Sequence, residues 1–277
     1  TTDNIKYKTA FITAIRGGYE KTCKPFAPQT IDVDFICFTD NSNITANGWI
    51  IDTTPYHIIN LSPLDKGNYH NSLKNNSHTF NIAKYYKQAW HNIPRLSKYD
   101  MVVWIDGTVE ITNPDCARQF AEYVSTYDIC AWNHERRSGK LIDEVKDSNF
   151  YRYTSTRWNN QEQPYQDVFA QYEEYIKDGY SDQYWKDYDR VVGRGIEDHF
   201  GVWITGILAL NAKSKKVINF LNDWYLQTLQ YTTQDQIGFC KTIQNTGLVP
   251  YTLPDDKVTG QFPHQKTSMY IIHRHGK

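Results

Sequence analysis

The sequence lacks an excess of charge of either sign. Its 277 residues include 30 lysines and arginines against 31 aspartates and glutamates, so the formal net charge is -1. The isoelectric point lies near 6.7. Such a balance does not favour a polybasic surface for nucleic acid, nor an acidic tail. We therefore expect no nucleic-acid partner.

Long hydrophobic runs are also missing. The run from Met101 to Ile105 is among the longest, and it is far shorter than the roughly 20 residues that a membrane-spanning helix needs. The N-terminal residues lack the charged, apolar and small-residue regions of a secretory signal. We therefore expect a soluble, cytoplasmic protein that does not insert into membranes.

Cysteine is scarce and shows no paired spacing. The five cysteines include no CxxC pair, and an odd number cannot all form disulfides within one chain. The motifs GxSxG and HExxH and the EF-hand loop are absent as well. Serine hydrolases, zinc peptidases and zinc-thiolate sites are thus disfavoured, and free thiols in a reducing compartment are expected. The cysteines are Cys23, Cys37, Cys116, Cys130 and Cys240.

Aromatic residues, in contrast, are abundant. The chain has 21 Tyr, 12 Phe and 8 Trp, while only 40% of it is hydrophobic. Rings with polar edges suit stacking on sugars or nucleobases, and they equally build a core that is short of leucine. At this length we expect one α/β domain over residues 1–277, with two domains as the alternative.

Hydrophobic periodicity predicts alternating strands and helices. A strand, helix, strand succession favours a parallel sheet with crossover helices. Residues 148–194 show weaker periodicity and are interpreted as an insertion. Its one predicted helix has Val168, Phe169, Tyr172 and Ile176 as the apolar face. Strands are predicted at 8–15, 34–39, 49–51, 101–105, 129–132 and 207–210, and helices at 77–90, 116–123, 166–177, from 214 onwards and from 235.

Polar residues follow three of the predicted strands. Asp106 and Gly107 end one strand, Asp40 ends another, and the loop of Arg16, Gly17 and Gly18 follows the first. Ligands bind at the carboxyl ends of strands in open α/β sheets, where a carboxylate can hold Mg²⁺ or Mn²⁺ against a diphosphate. The alternative is that these residues only form turns.

Two further groups of residues have a functional and a structural interpretation. Glu197-Asp198-His199 and Asp143-Glu144 could act as acid or base, or could simply be solvated. The C-terminal run from Ile271 to Lys277 holds two histidines. It is either a frayed tail or a segment that folds back, so that an imidazole completes a metal site and a cation neutralises phosphate.

Taken in order, these segments resemble the GT-A type of nucleotide-sugar glycosyltransferase over most of the chain. Residues 13–19 and 33–40 are similar to the first two strands of such enzymes. Residues 203–211 look like the glycine loop and strand of glycogenin-like transferases. The chain also resembles a bacterial and plant group of GT-A-like proteins that is marked by a "WIDG" strand; the similar segments are residues 81–87, 99–107, 134–137, 143–144 and 233–236.

The resemblance implies a GT-A, Rossmann-like, mixed and mainly parallel sheet flanked by helices. It also implies site residues. Asp235 would be the general base of an inverting reaction, with Asp198 in reserve, and Arg274 and Lys277 would bind phosphate. Nucleotide contacts would be Thr13, Ala14, Arg16, Asp40, Lys84, Asp106 and Gly107; sugar contacts would be Gly206, Gln236, Trp158 and Trp185.

A metal site is implied as well. Mn²⁺ or Mg²⁺ would be held by Asp106, Thr108, His273 and His275. Thr108 departs from the pattern, because the usual Asp-x-Asp motif has a second carboxylate there. A metal-independent site that uses arginine and lysine is therefore the alternative.

The implied partners are a nucleotide-sugar donor, with UDP favoured, and a glycan acceptor. The chain is also similar in size to glycosyltransferases encoded by large algal viruses, the chlorovirus xylosyltransferases among them. That resemblance implies UDP-xylose as donor and a fucose-bearing glycan as acceptor. Two other classes stay open: a glycan-binding protein on a GT-A fold, and a sugar nucleotidyltransferase.

Overall fold

A computed structural model describes residues 7–67, 71, 79–137, 139–154, 164–182, 201–253 and 267–275. Its strands are β1 (Thr9–Ile15), β2 (Val33–Thr39), β3 (Ile50–Asp52), β4 (Met101–Ile105), β5 (Val109–Ile111), β6 (Ile129–Asn133), β7 (Trp203–Asn211), β8 (Tyr251–Leu253) and β9 (Tyr270–Ile272). Its helices are α1 (Tyr56–Ile59), α2 (Thr79–Gln88), α3 (Cys116–Tyr127), α4 (Leu141–Asn149), α5 (Val168–Lys177), α6 (Lys215–Gln230) and α7 (Asp235–Thr246).

Seven of these strands form one sheet, in the order β3-β2-β1-β4-β7-β6-β8. Within it β7 runs antiparallel to its neighbours β4 and β6, and the other neighbouring strands pair in parallel. The predicted mixed, mainly parallel sheet is therefore confirmed. The carboxyl ends of β1, β2 and β4 lie at one edge, because these strands are parallel.

Helices cover both faces of the sheet. On one face α3 buries Ala117, Phe120, Ala121 and Val124, which recur at the helical spacing and form one apolar stripe. On the other face α6 buries a similar stripe, and α2 and α7 pack beside it. The predicted α/β class with flanking helices is confirmed.

The C-terminal segment folds back against the body of the protein. Strand β9 pairs antiparallel with β5, which begins three residues after Asp106. The backbone N–H of His273 also donates a hydrogen bond to the carbonyl of Thr108 at 2.8 Å. The described part of this tail, residues 271–275, is therefore folded back rather than frayed.

The predicted apolar face of α5 is confirmed for Val168 and Tyr172, which pack in or against the core, and is wrong for Phe169 and Ile176. The helix buries Val168, Gln171 and Tyr175, whereas Phe169 and Ile176 are exposed. The buried glutamine is accommodated because its amide donates to the Tyr175 hydroxyl at 2.8 Å, and that hydroxyl donates to Gln227. A hydrogen-bonded polar pair thus occupies the face that apolar residues were expected to fill.

The remaining sequence predictions concern thiols and membranes. All five cysteines are buried and free, as expected. Among the described residues, no helix is both long and apolar enough to span a bilayer. Four short elements (α1, β5, β8 and β9) and the longer helix α4 were not predicted from the sequence.

Candidate active site

A cleft of about 700 Å³ lies at the carboxyl edge of the sheet. The ends of β1 and β4 form its floor, with Arg16 after β1 and Asp106 after β4. Helix α2 supplies Lys84 and Lys87 to one wall, and the start of α7 supplies Asp235. The sheet topology thus brings together residues that are far apart in the sequence.

Asp106 is held at the end of β4 by its neighbours. Its Oδ1 accepts a hydrogen bond from the indole N–H of Trp104 at 2.9 Å, and its backbone N–H donates to the carbonyl of Gly206 at 2.9 Å. A Cβ on Gly206 would lie only 3.1 Å from Asp106 Oδ2. Gly206, which lies within β7, therefore leaves the space in which the carboxylate sits.

Asp235 is buried, and both of its carboxylate oxygens have hydrogen-bond or ion-pair partners. Its Oδ2 pairs with the ammonium of Lys84 at 2.5 Å and with that of Lys87 at 2.8 Å. Its Oδ1 accepts a hydrogen bond from the hydroxyl of Thr205 at 2.5 Å. Lys87 also lies 3.9 Å from Asp106. One carboxylate thus holds two cations at the wall of the cleft.

The charges of this cluster change one another's pKa. Burial alone would raise the pKa of the Asp235 carboxyl, but Lys84 and Lys87 outweigh it and hold that pKa below its ordinary value. Burial lowers the pKa of Lys84, and Asp235 opposes this effect. Asp235 is therefore a firmly ionised carboxylate and a weak proton acceptor.

Arg16 lies at the other end of the cleft. Its Nη2 donates to the Tyr86 hydroxyl at 2.6 Å, and its guanidinium carbon is 4.8 Å from the centre of the Tyr86 ring. Among the described residues, its buried Nε has no hydrogen-bond partner. Burial, with a smaller effect of Arg16, lowers the pKa of the neighbouring His57 to about 4. A guanidinium in this setting suits an anionic or carbonyl ligand.

The other predicted nucleotide contacts fall at the same edge. Ala14 and Gly107 line the cleft, whereas Thr13 is buried within β1. Asp40 is exposed and accepts a hydrogen bond from the backbone N–H of Gly17 at 3.2 Å. The carboxylate thereby fixes the loop that carries Arg16.

The side-chain amide of Gln236, a predicted sugar contact, forms hydrogen bonds with other residues of the protein. Its Oε1 accepts from the backbone N–H of Thr205 at 3.2 Å, and its Nε2 donates to Glu144 at 2.8 Å. Glu144 is buried and also binds Arg137 at 2.6 Å. The residue lines the cleft, but its amide positions Thr205 and thereby the cluster around Asp235.

The four predicted metal ligands are not gathered at one point. Asp106, Thr108 and His275 line the cleft, but the imidazole of His275 binds Glu20 at 2.8 Å. His273 binds Glu110 instead, at 2.9 Å. Among the described residues, no three His, Cys, Asp or Glu side chains are arranged to hold a metal ion. The donor set of the described chain therefore does not fit a metal held by protein ligands alone.

Several predicted site residues cannot be located. Asp198, Trp158, Trp185 and Lys277 lie outside the described residues. Arg274 is described, exposed, and not among the residues that line the cleft.

Sequence reasoning missed Lys87 and Thr205 as site residues, and it gave Glu144 only as a candidate acid or base or a solvated charge. The spacing of Lys84 and Lys87 on a helix, three residues apart, places both on one face and was a usable signal. The hydrogen bond from Thr205 to Asp235 and the burial of Glu144 against Gln236 gave no such signal, because these partners come from distant segments.

The fold and site define an α/β protein with a charged cleft at the carboxyl edge of its sheet. No protein-family model matches the chain, and no curated protein matches it by sequence. Among solved structures, it is similar to mouse xyloside xylosyltransferase 1 in its apo form, at 11% identity and a TM-score of 0.49, over 90% of this chain and 85% of that one.

It is also similar to the apo bifunctional glycosyltransferase WbbM, at 12% identity and a TM-score of 0.46. That alignment covers 90% of this chain but only 39% of WbbM, so the present chain corresponds to well under half of that protein. Likeness at this level concerns the general shape of the fold and assigns no activity.

Proposed function

We propose that this chain is a glycosyltransferase that moves a sugar from a nucleoside diphosphate to a hydroxyl of a glycan. The observation that carries the proposal is the pair of ammonium groups, Lys84 and Lys87, held by Asp235 beside Asp106 at the carboxyl edge of the sheet. A diphosphate leaving group needs positive charge that is already in place. Both lysines line the cleft; the Lys84 side chain is 21% exposed, whereas that of Lys87 is only 4% exposed.

In the proposed reaction, the bond between the sugar C1 and the diphosphate oxygen breaks, and its electron pair stays on that oxygen. The acceptor hydroxyl oxygen forms the new bond to C1 and gives up its proton. Lys84 and Arg16 would balance the charge of the nucleotide, and the low exposure of the cluster strengthens these interactions.

Asp235 is assigned a positioning role in this scheme. Both of its oxygens already accept short hydrogen bonds, and its pKa is lowered by the two lysines. These facts favour a residue that holds the cations over a general base. The proton acceptor of an inverting reaction then falls to Asp198, the other carboxylate that the sequence predicts.

The proposal routes no step through a metal. The pairing of His273 and His275 with glutamates supports the alternative that uses lysine and arginine in place of Mn²⁺. UDP is proposed as the nucleotide, UDP-xylose as the donor and a fucose-bearing glycan as the acceptor, all three on the sequence resemblance.

A thermal-shift panel tests the proposal. UDP, GDP and CMP are each added with Mn²⁺ or with EDTA, since a ligand at 100-fold excess over its Kd stabilises by about 2.7 kcal/mol. In a protein of this size that is a rise in Tm of several degrees. We expect UDP to raise Tm, and UDP-xylose to release UDP in the presence of an acceptor. A protein that binds glycans but no nucleotide would instead be a glycan-binding protein, and synthesis of a nucleotide sugar from a sugar 1-phosphate would identify a nucleotidyltransferase.

A further inference from the structure

Most of the exposed aromatic side chains of the described residues lie in one part of the chain, in which Tyr151 lines the cleft. Among the described residues, five aromatic side chains are exposed, and all but Tyr19 lie between residues 150 and 169. Exposed apolar patches of this kind mark ligand-binding grooves. Phe150 is 52% exposed and Tyr151 is 41% exposed, and their rings contact each other edge to face at 5.0 Å.

The backbone places Tyr151 at the cleft. Helix α4 ends at Asn149 and continues into one π-helical turn, Phe150–Thr154. Such turns are rare and occur frequently at functional sites. Tyr151 and the next residue, Arg152, both line the cleft, and both are exposed.

The turn is fixed relative to the Asp235 cluster. The hydroxyl of Tyr153 accepts a hydrogen bond from the side chain of Gln234 at 3.1 Å. The buried Gln166 binds Thr233 twice, at 2.7 and 2.8 Å. The turn that carries Tyr151 is thus tied through Tyr153 to Gln234, the residue before Asp235, and a ligand on Tyr151 would keep a set position relative to the reacting centre.

The polar neighbours suit a sugar. Arg136 and Asp147 line the same cleft as Tyr151 and Arg152. The aromatic ring of Tyr151 therefore shares the cleft with guanidinium and carboxylate groups. The flat, C–H-bearing face of a sugar stacks on an aromatic ring, and its hydroxyls bind such charged groups at the edge. Arg16 and Lys84, which line the same cleft, are the groups proposed above to bind the nucleotide phosphate.

We infer that Tyr151, with Arg136 and Arg152, forms an acceptor subsite that stacks one sugar unit of an oligosaccharide. The role of this subsite in transfer rests on the proposed function. It makes the preferred acceptor an oligosaccharide rather than a monosaccharide, because the stacked unit is additional to the unit that reacts.

Direct binding of glycans tests the subsite without any need for turnover. The probes are xylo-, cello- and malto-oligosaccharides of two to six units, a fucosylated lactose, and the constituent monosaccharides. Saturation-transfer NMR and calorimetry give binding and Kd for the full chain. We expect at least one series to bind, with affinity that increases from the monosaccharide to the oligosaccharide.

Three variants locate the binding. Tyr151→Ala is expected to weaken oligosaccharide binding roughly 2- to 10-fold, the loss of one ring contact, while Tyr151→Phe retains it. Phe169→Ala is the matched control, because Phe169 is an exposed ring of the same segment that does not line the cleft. Melting curves without ligand show that each variant is folded.

Three results would overturn the subsite: no binding of any probe, unchanged binding by Tyr151→Ala, or an equal loss in Phe169→Ala. The proposed function fails separately, when no nucleotide binds. Glycan binding through Tyr151 without nucleotide binding would keep the subsite and assign it to a glycan-binding protein.

Discussion

The carboxylate of Asp235 lies 2.8 Å from the ammonium of Lys87, and both side chains are almost fully buried, at 5% and 4% exposure. A buried ion pair is tolerated only where further groups satisfy its remaining atoms. Here Thr205 accepts from Lys87 at 3.2 Å and donates to Asp235 at 2.5 Å, and Lys84 supplies the second cation. The four residues form one polar unit between α2, β7 and α7.

Asp235→Asn should destabilise the protein. The amide leaves two ammonium groups close together without a counter-charge, and breaking a buried pair in this way costs about 3 to 5 kcal/mol. Urea unfolding measures the loss. Asp178→Asn is the control, because Asp178 pairs with Lys241 outside the cleft and is 73% exposed. Equal stability of Asp235→Asn and the wild type would show that the cluster is not held by charge.

The same substitution separates a positioning role from a general base. If Asp235 holds the lysines, Asp235→Asn should bind UDP roughly 10- to 100-fold more weakly, because the loss of one charge-assisted contact is worth about 1.5 to 3 kcal/mol. A base contributes about 100-fold or more to turnover and nothing to nucleotide binding. Calorimetry with UDP and a UDP-release assay give the two quantities. Unchanged UDP affinity with lost turnover would restore the base assignment.

The stabilisation that Asp235 provides should depend on pH in one direction. The lysines hold its pKa in the folded protein below the unfolded value of about 3.9, so the folded state binds this proton less tightly. The stabilisation is then complete above the unfolded pKa and declines as the pH falls below it. The difference in unfolding free energy between wild type and Asp235→Asn should be constant between about pH 5 and 8 and narrow in acid. If that difference in unfolding free energy increased in acid, the lowered pKa of Asp235 would not be its cause.

The sequence made the sheet and its carboxyl edge predictable, and it predicted less of the cleft. Asp40 and Asp106 follow apolar runs of strand length, so their place at the strand ends follows from local pattern. Lys87 was harder to assign, because lysine on a helix normally faces water, whereas here it is buried under Trp104 and Trp224.

Contacts between distant segments explain the rest. His275 was expected to hold a metal, yet it binds Glu20, which is 255 residues away in the sequence. A histidine can bind a metal, transfer a proton or pair with a carboxylate, and only the tertiary fold determines which of these His275 does. The predicted face of α5 was wrong at Phe169 and Ile176 for a related reason, because Gln171 and Tyr175 can be buried instead when they form a hydrogen bond with each other.

Gly206→Ala should impair the site with little effect on stability. Alanine is tolerated in a strand, but its Cβ would lie 3.1 Å from Asp106 Oδ2 and displace the carboxylate. UDP affinity and UDP release should both fall, while the urea midpoint changes little. The variant Asp106→Ala provides the control: in that background, a further Gly206→Ala change should have no additional effect. Additive losses would show that Gly206 acts on something other than Asp106.

UDP should stabilise the protein as strongly in EDTA as in Mn²⁺. The reason is the donor set, since His273 and His275 are paired with Glu110 and Glu20 and Asp106 is 3.9 Å from Lys87. The shift in Tm at equal UDP concentration is the measurement, with Mg²⁺ as a second metal. A shift that requires Mn²⁺ would restore the predicted metal, and loss of that requirement in His275→Ala but not His273→Ala would then identify the ligand.

Arg16→Lys should weaken nucleotide binding more than the retained charge suggests. The guanidinium carbon lies 4.8 Å from the centre of the Tyr86 ring and the guanidinium donates to the Tyr86 hydroxyl, while its buried Nε has no hydrogen-bond partner among the described residues. An ammonium cannot reproduce this planar fork, and losing a charge-assisted bond costs about 1.5 to 3 kcal/mol, or roughly 10- to 100-fold in Kd. Tyr86→Phe keeps the ring and removes only the hydroxyl, so it should lose less. Calorimetry with UDP compares the three proteins, and an Arg16→Lys variant that binds UDP as tightly as the wild type would place the nucleotide elsewhere in the cleft.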